Sequence, residues 1–520
     1  MADAHGPRWE KSYPAHVVLV VLTLFPGLIN TSAIGLAAPV IGDALGVAPA
    51  AAAALPLISD AALAFGCVVG AELARRFEGR ALFFWALGAS LVTSLVSALA
   101  PSFAVLLAAH ITHGLVAGML YVIALPPLLV NFKSDRLSAT ASVLVPVLFG
   151  AATLGPVIGG LVAAPVIWRM LFAAEVVVAA VALVLANQVL GRREPPHTDE
   201  PVDWFALATA GIGSLLMYLG IGGLAGRDLN DPVASVPFIV GLAMYGVLII
   251  GEARKEHPLF PVRKLATSLA LIGAIATVVG SAAFSALAQC FSLTLLRVEE
   301  LEPRSVGLAF WPEFFAALVS GYIFGRLVTT KWVVLTGAAG LAFIALAAAL
   351  GRAYAPLDAT SVGVLSSIGA FGAGLSVSPG LFVVTLSFER RLVARAIALL
   401  NLFRLTGGFI SAPGVEHTIG SHAQDHLEQL DPSRALALQE VVRDFVTGAQ
   451  LPPNVPIDLL KHALILSIDD AYVIVLSLSL AGIAAIVVVL VATRVKLRAP
   501  DLARFDEGKP ALETPALAPH

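Results

Sequence analysis

The sequence predicts an all-α polytopic membrane protein with fourteen spanning helices. Three observations carry that prediction. First, 58% of the 520 residues are hydrophobic and only 13% are charged, against roughly 45–50% and about 25% in soluble globular domains. Mean hydropathy is +0.89. Second, apolar runs long enough to cross a bilayer core, which takes about 20 residues, recur fourteen times. Third, the basic residues are segregated. An even number of spans puts both termini on one side. If that side is the cytoplasm, 23 of the 32 Lys and Arg fall in cytoplasmic segments and 7 outside, with Arg169 and Arg404 within or at the edge of spans. That is the positive-inside asymmetry. The net charge of −3 carries little information beside it.

In chain order, a cytoplasmic N-terminus (1–15) leads into spans at about 16–40, 53–73, 81–100, 103–131, 139–163 and 166–190. The first run is too long for a signal-peptide core and has no small-residue cleavage site after it. The polar, proline-bearing linker 191–203 closes these six. Two further spans follow within 204–251, then a second cytoplasmic linker, 252–267. The last six spans lie within 268–498, at about 268–296, 306–328, 332–351, 360–386, 392–413 and 469–493. The outer loop 415–467 is the only sizeable external segment, and within it 432–448 has the apolar spacing of a short amphipathic helix. The proline-rich tail 499–520 has a disordered composition. Cys67 and Cys290 both sit in apolar runs, so inert buried thiols are expected rather than a disulfide. There is no Walker phosphate loop and no aqueous segment long enough for a nucleotide-binding domain. The chain is therefore expected to move a solute on an existing gradient, with no cofactor, no metal, no nucleic acid and no enzymatic activity.

The fifth run carries "GAATLGPVIGG", Gly150 to Gly160. Gly155, Gly159 and Gly160 permit close helix approach, and Pro156 bends the helix. Gly-Pro-x-x-Gly-Gly, preceded by Gly150, resembles the antiporter signature of the major facilitator superfamily. With fourteen spans the resemblance is to its drug/proton antiporter branch, the EmrB/QacA type. "LINTSAIGLAAPVI" (28–41), "HITHGLVAGML" (110–120), "WRMLFAAEV" (168–176), "EARKEHPLFPVRKL" (252–265), "GLAFWPEF" (307–314), "GAFGAGLSVSP" (369–379) and "NLFRLTGG" (401–408) match that branch in register. The resemblance implies the major facilitator fold: two six-helix bundles (16–190 and 268–498) around a cavity, two spans inserted between them, and alternating access by rocking.

The chain departs from the family at charged positions. Asn30 stands where the first-span motif has Asp, and His110 and His113 stand at the Arg and Gln of the fourth-span motif. The loop after the second span, expected to act as a cytoplasmic gate, reads "GAELARRFEGR". It puts Arg75 at the family's Asp, with Arg76, an additional Glu78 and Arg80 around it. Asn30 cannot carry a proton. By residue count, Asn30 lies about 15 Å and Asp60 about 10 Å below the outer surface, with His110 at a similar depth, at 1.5 Å per residue. A charge that deep costs about 2.5–3.5 kcal/mol on insertion scales and needs a partner. The sequence therefore nominates Asp60 with His110 as a replacement protonation pair, since histidine titrates near neutral pH. His113 and Glu313 are further proton-coupling candidates, and Asn30, Arg404 and Glu175 are substrate-cavity candidates. For His110 and His113 the competing reading is hydrogen-bonded packing between helices. For Glu175 and Arg404 it is a purely structural role.

The function expected is secondary active export of amphipathic small molecules, proton-coupled, across a bacterial inner membrane. The few fixed charges and many Ala, Gly, Val and Leu suit an apolar cavity. A periplasmic adaptor on the outer loop is a possible partner besides substrate and lipid. The alternatives are a proton-independent facilitator or importer and, from another class, a non-transporting sensor or scaffold.

Overall fold

In the computed structural model, the described residues are 13–130, 132–191, 201–223, 230–266, 268–447, 451–452, 455–494 and 497–512. Most of the expected N-terminal segment, the centre of the 191–203 linker and the end of the tail lie outside them. Among the described residues, fourteen helices are long and apolar enough to cross a membrane. They are α1 (Tyr13–Ala44), α2 (Ala51–Ala74), α3 (Gly79–Ala98), α4 (Phe103–Leu129), α5 (Ser134–Val162), α6 (Arg169–Val189), α7 (Trp204–Gly223), α8 (Pro232–Arg254), α9 (Leu269–Val298), α10 (Pro303–Leu327), α11 (Thr336–Ala353), α12 (Ala359–Leu386), α13 (Arg390–Leu430) and α14 (Ile457–Thr493). Lipid-facing positions stay apolar: Trp85, Val184, Trp204 and Val491 are all exposed.

Helices α1–α6 pack on one another, as do α9–α14. Small residues set the closest approaches. A Cβ on Gly66 or Gly118 would sit 2.1 Å from a backbone oxygen of the facing helix, Leu115 O for the first and Leu63 O for the second. That fixes α2 against α4. A Cβ on Gly340 would lie 2.3 Å from Gly372 O, which does the same for α11 and α12. The two groups meet where α5 packs along α10 and where α2 packs on α13. With the inserted pair set aside, these two contacts exchange under a twofold that maps each bundle onto the other. That is the signature of two repeated bundles. The inserted α7 and α8 pack tightly on each other through Gly213, Gly220 and Gly241, and α7 leans on α2 where Gly211 meets Phe65. Their linker-side ends are knotted by polar bonds. Lys255 donates to Asp203 at 2.6 and 2.7 Å and also to Glu252. The second Glu252 oxygen accepts the Phe260 backbone N–H at 2.9 Å.

Both described ends of the chain lie at one end of the molecule. Tyr13 reaches Thr140 at 2.8 Å, and the C-terminal segment contacts Ser134 and Leu386.

Two segments differ from the sequence reading. The outer loop expected over 415–467 is largely helix. α13 runs on to Leu430, a helix follows at Pro432–Thr447, and α14 starts at Ile457. The extension is too polar for a hydropathy window, yet Val415, Ile419, Ala423 and Leu427 recur every four residues and are all buried. An amphipathic stripe, not overall hydrophobicity, carries the helix beyond the apolar core. The second difference is the tail. Residues 499–520 read as disordered, but Leu502–Asp506 is helical and Phe505, Ala511 and Leu512 are buried. Those three side chains supply the apolar anchor that the composition as a whole does not show.

Candidate functional site

The Gly-Pro signature lies in α5 just after a π-helical turn at Pro146–Gly150, a local distortion that proline favours. A Cβ on Gly155 would fall 2.2 Å from Ser32 Cβ, and one on Gly159 2.2 Å from Ala33 O, so α5 is seated directly on α1. Gly160 faces the other bundle: its Cβ would lie 2.5 Å from Pro303 O and 3.0 Å from Gly307 Cα. Gly150 sits against Phe314 of α10. Pro156 also faces α10, its carbonyl oxygen 2.5 Å from where a Gly307 Cβ would stand. One turn pattern thus serves a contact within a bundle and a contact between bundles. Further along the same pair of helices, Gly321 meets Pro146 and Gly325 meets Ser142.

Four of the nominated polar residues meet inside the first bundle. Asn30 of α1 donates through Nδ2 to Glu175 Oε2 of α6 at 2.8 Å. The other carboxylate oxygen of Glu175 lies 3.3 Å from His113 Nε2 of α4. His113 Nδ1 lies 3.4 Å from Thr93 Oγ1 and 3.5 Å from Ser94 Oγ of α3. His110 stacks on His113, with ring centroids 6.0 Å apart and planes at 9°, and presents an edge to Phe172 at 5.9 Å. The cluster is sealed: Asn30 is 1% exposed, His110 0%, His113 2% and Glu175 5%. Asn30 and Glu175, nominated as cavity residues, are paired with each other inside the bundle instead.

The expected Asp60–His110 pair does not form. No hydrogen bond or ion pair joins them among the described residues, and neither ring nitrogen of His110 has a hydrogen-bond partner there. Depth put them level, but azimuth separates them. Gly114 of α4 faces Ser59, so the next residue, Asp60, is turned about 100° around α2. α2, which carries Asp60, packs on α13 of the other bundle, which carries Arg404. Arg404 Nε donates to Asn401 Oδ1 at 2.8 Å, and its guanidinium carbon lies 5.6 Å from the centre of the Tyr121 ring of α4. No direct hydrogen bond or ion pair links Arg404 to Asp60 among the described residues. Both side chains are half-buried, unlike the sealed cluster. The neighbouring Thr406 takes the Tyr245 hydroxyl of α8 at 3.1 Å, which ties the inserted pair to α13.

Glu313 stands apart, 3% exposed in the first turn of its α10 segment. In the nominated gate loop, Arg75 and Arg76 fold back on Glu72 of α2, at 3.3 and 2.7 Å. Glu78 directly precedes α3. Arg80 crosses to the end of α6, donating to Leu190 O and Asn187 Oδ1, each at 2.8 Å. Sequence reasoning missed Glu416, which lies in the polar extension of α13 and accepts from Gln289 of α9 at 2.9 Å. The four-residue apolar repeat around it was the signal that could have found it. Among the described residues, no group of three or more His, Cys, Asp or Glu is arranged to hold a metal ion.

The arrangement is that of two helical bundles with a polar lock inside one and an acid and a base on facing helices of both. Comparison with known proteins bears on the family and the fold. The family model described as Major Facilitator Superfamily matches residues 20–412. A multidrug resistance protein B homolog of Mycobacterium tuberculosis is 27% identical over 70% of this chain and 68% of its own. The cephamycin export protein CmcT of Amycolatopsis lactamdurans is 26% identical over 77% of this chain and 84% of its own. Among solved structures, the human organic anion transporter MFSD10 superposes with a TM-score of 0.55 at 16% identity, covering 91% of this chain and 100% of that one. This likeness shows the shared fold. With the family model spanning most of its length and, among the described residues, twelve membrane helices in two facing bundles beside an inserted pair, this multi-pass membrane protein belongs to the major facilitator superfamily of transporters.

Proposed function

We propose that this transporter is a secondary active exporter of amphipathic small molecules, driven by inward proton flow across a bacterial inner membrane, with both termini in the cytoplasm. The observation that carries the coupling is the placement of Asp60 and Arg404. They sit on α2 and α13, helices of opposite bundles that pack on each other, and both are half-buried. An ionised Asp60 is drawn to Arg404 across the bundle interface. A protonated Asp60 is not, so gaining or losing one proton changes the force that holds α2 to α13. Rocking in turn changes the access of both groups to water. Substrate export follows if binding favours the deprotonated state and release the protonated one. The names of the two relatives, a multidrug resistance protein and an antibiotic export protein, support an apolar or amphipathic organic substrate. The distribution of Lys and Arg supports the orientation.

The test is transport by purified protein in vesicles with an imposed pH gradient, over a panel of dyes and antibiotics. Asp60→Asn should abolish accumulation against the gradient while leaving downhill exchange. Arg404→Lys should retain part of the coupling, and Arg404→Gln should lose it. Wild-type accumulation by Asp60→Asn would place the coupling elsewhere, with Glu313 the next residue to replace.

A further inference from the structure

The C-terminal segment that composition marks as disordered is instead built into the molecule at the end carrying both termini. Asp501 N–H donates to Ala511 O at 2.9 Å, which closes residues 501–511 into a loop around the short Leu502–Asp506 helix. The loop is fixed to the second bundle by five hydrogen bonds. The N–H groups of Ala511 and Leu512 donate to Leu386 O, at the end of α12, at 2.8 and 3.0 Å. Arg390, at the start of α13, donates its backbone N–H to Gly508 O at 3.3 Å. Its Nη2 donates to Phe505 O and Asp506 O, each at 3.2 Å.

The same loop then reaches the first bundle. Ser134 opens α5, and its backbone N–H and its hydroxyl each donate to one oxygen of the Asp506 carboxylate, both at 2.8 Å. Asp506 thus caps, from another part of the chain, the N-terminal end of a helix, where unpaired N–H groups and the helix dipole favour a carboxylate. Bonds of this charge-assisted kind are about twice as strong as neutral ones. Close by on α5, Ser138 bonds Gly325 O of α10 and Ser142 stands against Gly325, so the two bundles are also in contact there.

We propose that residues 501–512 form a lock that holds the two bundles together at this end, through Asp506 on Ser134, and that the lock must let go before α5 and α10 can part. The proposal does not depend on proton coupling. A lock of this kind slows opening of one side of the transporter and gives the otherwise polar tail a defined task.

The test reads opening directly. Cys67 and Cys290 are replaced by Ala, and Ser142→Cys supplies one thiol at the α5–α10 contact for a membrane-permeant maleimide. Asp506→Ala should raise its alkylation rate on the order of tenfold, the effect of losing hydrogen bonds to a charged group. Ser134→Ala, which removes only the hydroxyl bond, should raise it less, and should add nothing in the Asp506→Ala background. A chain ending after Ala499 should alkylate at the fast rate. Adding a peptide of residues 499–512 should restore the slow one, while the same peptide with Asp506→Ala should not. An unchanged rate in both Asp506→Ala and the shortened chain would overturn the lock. So would a peptide that slows alkylation equally well without Asp506.

Discussion

His110 decides between two accounts of the first-bundle cluster, and His110→Leu separates them. The ring is 0% exposed, and both nitrogens are without hydrogen-bond partners among the described residues. A neutral imidazole carries one donor and one acceptor, and a buried unsatisfied polar group costs about 1–3 kcal/mol. Leucine removes both. It also removes the stack on His113 and the edge contact with Phe172, each worth about 0.5–1.5 kcal/mol. Leucine is close to histidine in volume, so overpacking adds little. At the middle of those ranges the balance favours the variant by about 2 kcal/mol. The assay is thermal unfolding of the purified protein in detergent, beside gradient-driven transport of the same preparation. The variant should unfold at a higher temperature and still accumulate substrate. A lower unfolding temperature would mean that the ring nitrogens are hydrogen-bonded in the working protein. Loss of accumulation from a stable variant would mean that His110 carries the coupled proton, and the Asp60–Arg404 reading would fall.

Other outcomes follow from the same contacts. Glu175→Leu removes the carboxylate that accepts from Asn30 Nδ2 and should destabilise the protein by about 1–3 kcal/mol, a loss read as a lower unfolding temperature; no change would mean that Asn30 and Glu175 are not paired as described. Gly159→Ala drives a methyl to 2.2 Å from the Ala33 carbonyl oxygen, which is backbone and cannot swing away. It should cost about 1–3 kcal/mol or more and impair transport, whereas Gly35→Ala, with nothing within 4 Å of its Cβ, should be silent in both assays. At the knot beside the inserted helices, burial pushes the Asp203 carboxyl up, but hydrogen bonds from Lys255 and the Ala206 N–H outweigh it, and the net is below its ordinary 3.8. Burial lowers Lys255, but its bonds to Asp203 and Glu252 raise it above 10.5 overall. The Asp203 contribution is therefore full above about pH 4 and lost as pH falls through its depressed value; the Lys255 contribution is full below about pH 10 and lost as pH rises through its raised value. Asp203→Asn should flatten the acid limb of the unfolding profile and also weaken the alkaline limb, because Asp203 is one of the two partners that raise Lys255; unchanged limbs would contradict this. Cysteines placed in the 191–203 linker should react with an impermeant thiol reagent only from the cytoplasm, and reaction from outside would reverse the orientation.

The bilayer makes the fold of this chain easy to read. Every span must be apolar and self-bonded, so hydropathy and the Lys/Arg pattern suffice to count fourteen helices. The close approaches are also legible, because a glycine such as Gly155 or Gly159 is useful only where another backbone arrives. Helices that leave the apolar layer are not. The far end of α13 is signalled only by Val415, Ile419, Ala423 and Leu427, and Glu416 went unnoticed within it. The tail is harder still. Its order depends on Ser134, Leu386 and Arg390, more than a hundred residues away, and no local composition reports them.

The site shows the same division more sharply. Residue counting gives depth, and depth alone is the ground for grouping Asn30, Asp60 and the two histidines. It says nothing about azimuth, and one residue's rotation around α2 takes Asp60 away from His110. The consequence for mechanism is physical. A group that exchanges protons in step with rocking must change its access to water as the bundles move. Asn30, His113 and Glu175 are enclosed by α1, α3, α4 and α6, helices of a single bundle, so rigid-body rocking leaves their surroundings unaltered. Their bonds make that bundle move as one piece. Asp60 and Arg404 lie on helices of different bundles, so the same motion alters both their separation and their hydration. In the proton-coupled mechanism proposed above, the interface between the bundles carries the coupling, and the bond between Asn30 and Glu175 belongs to the rigid interior of one bundle.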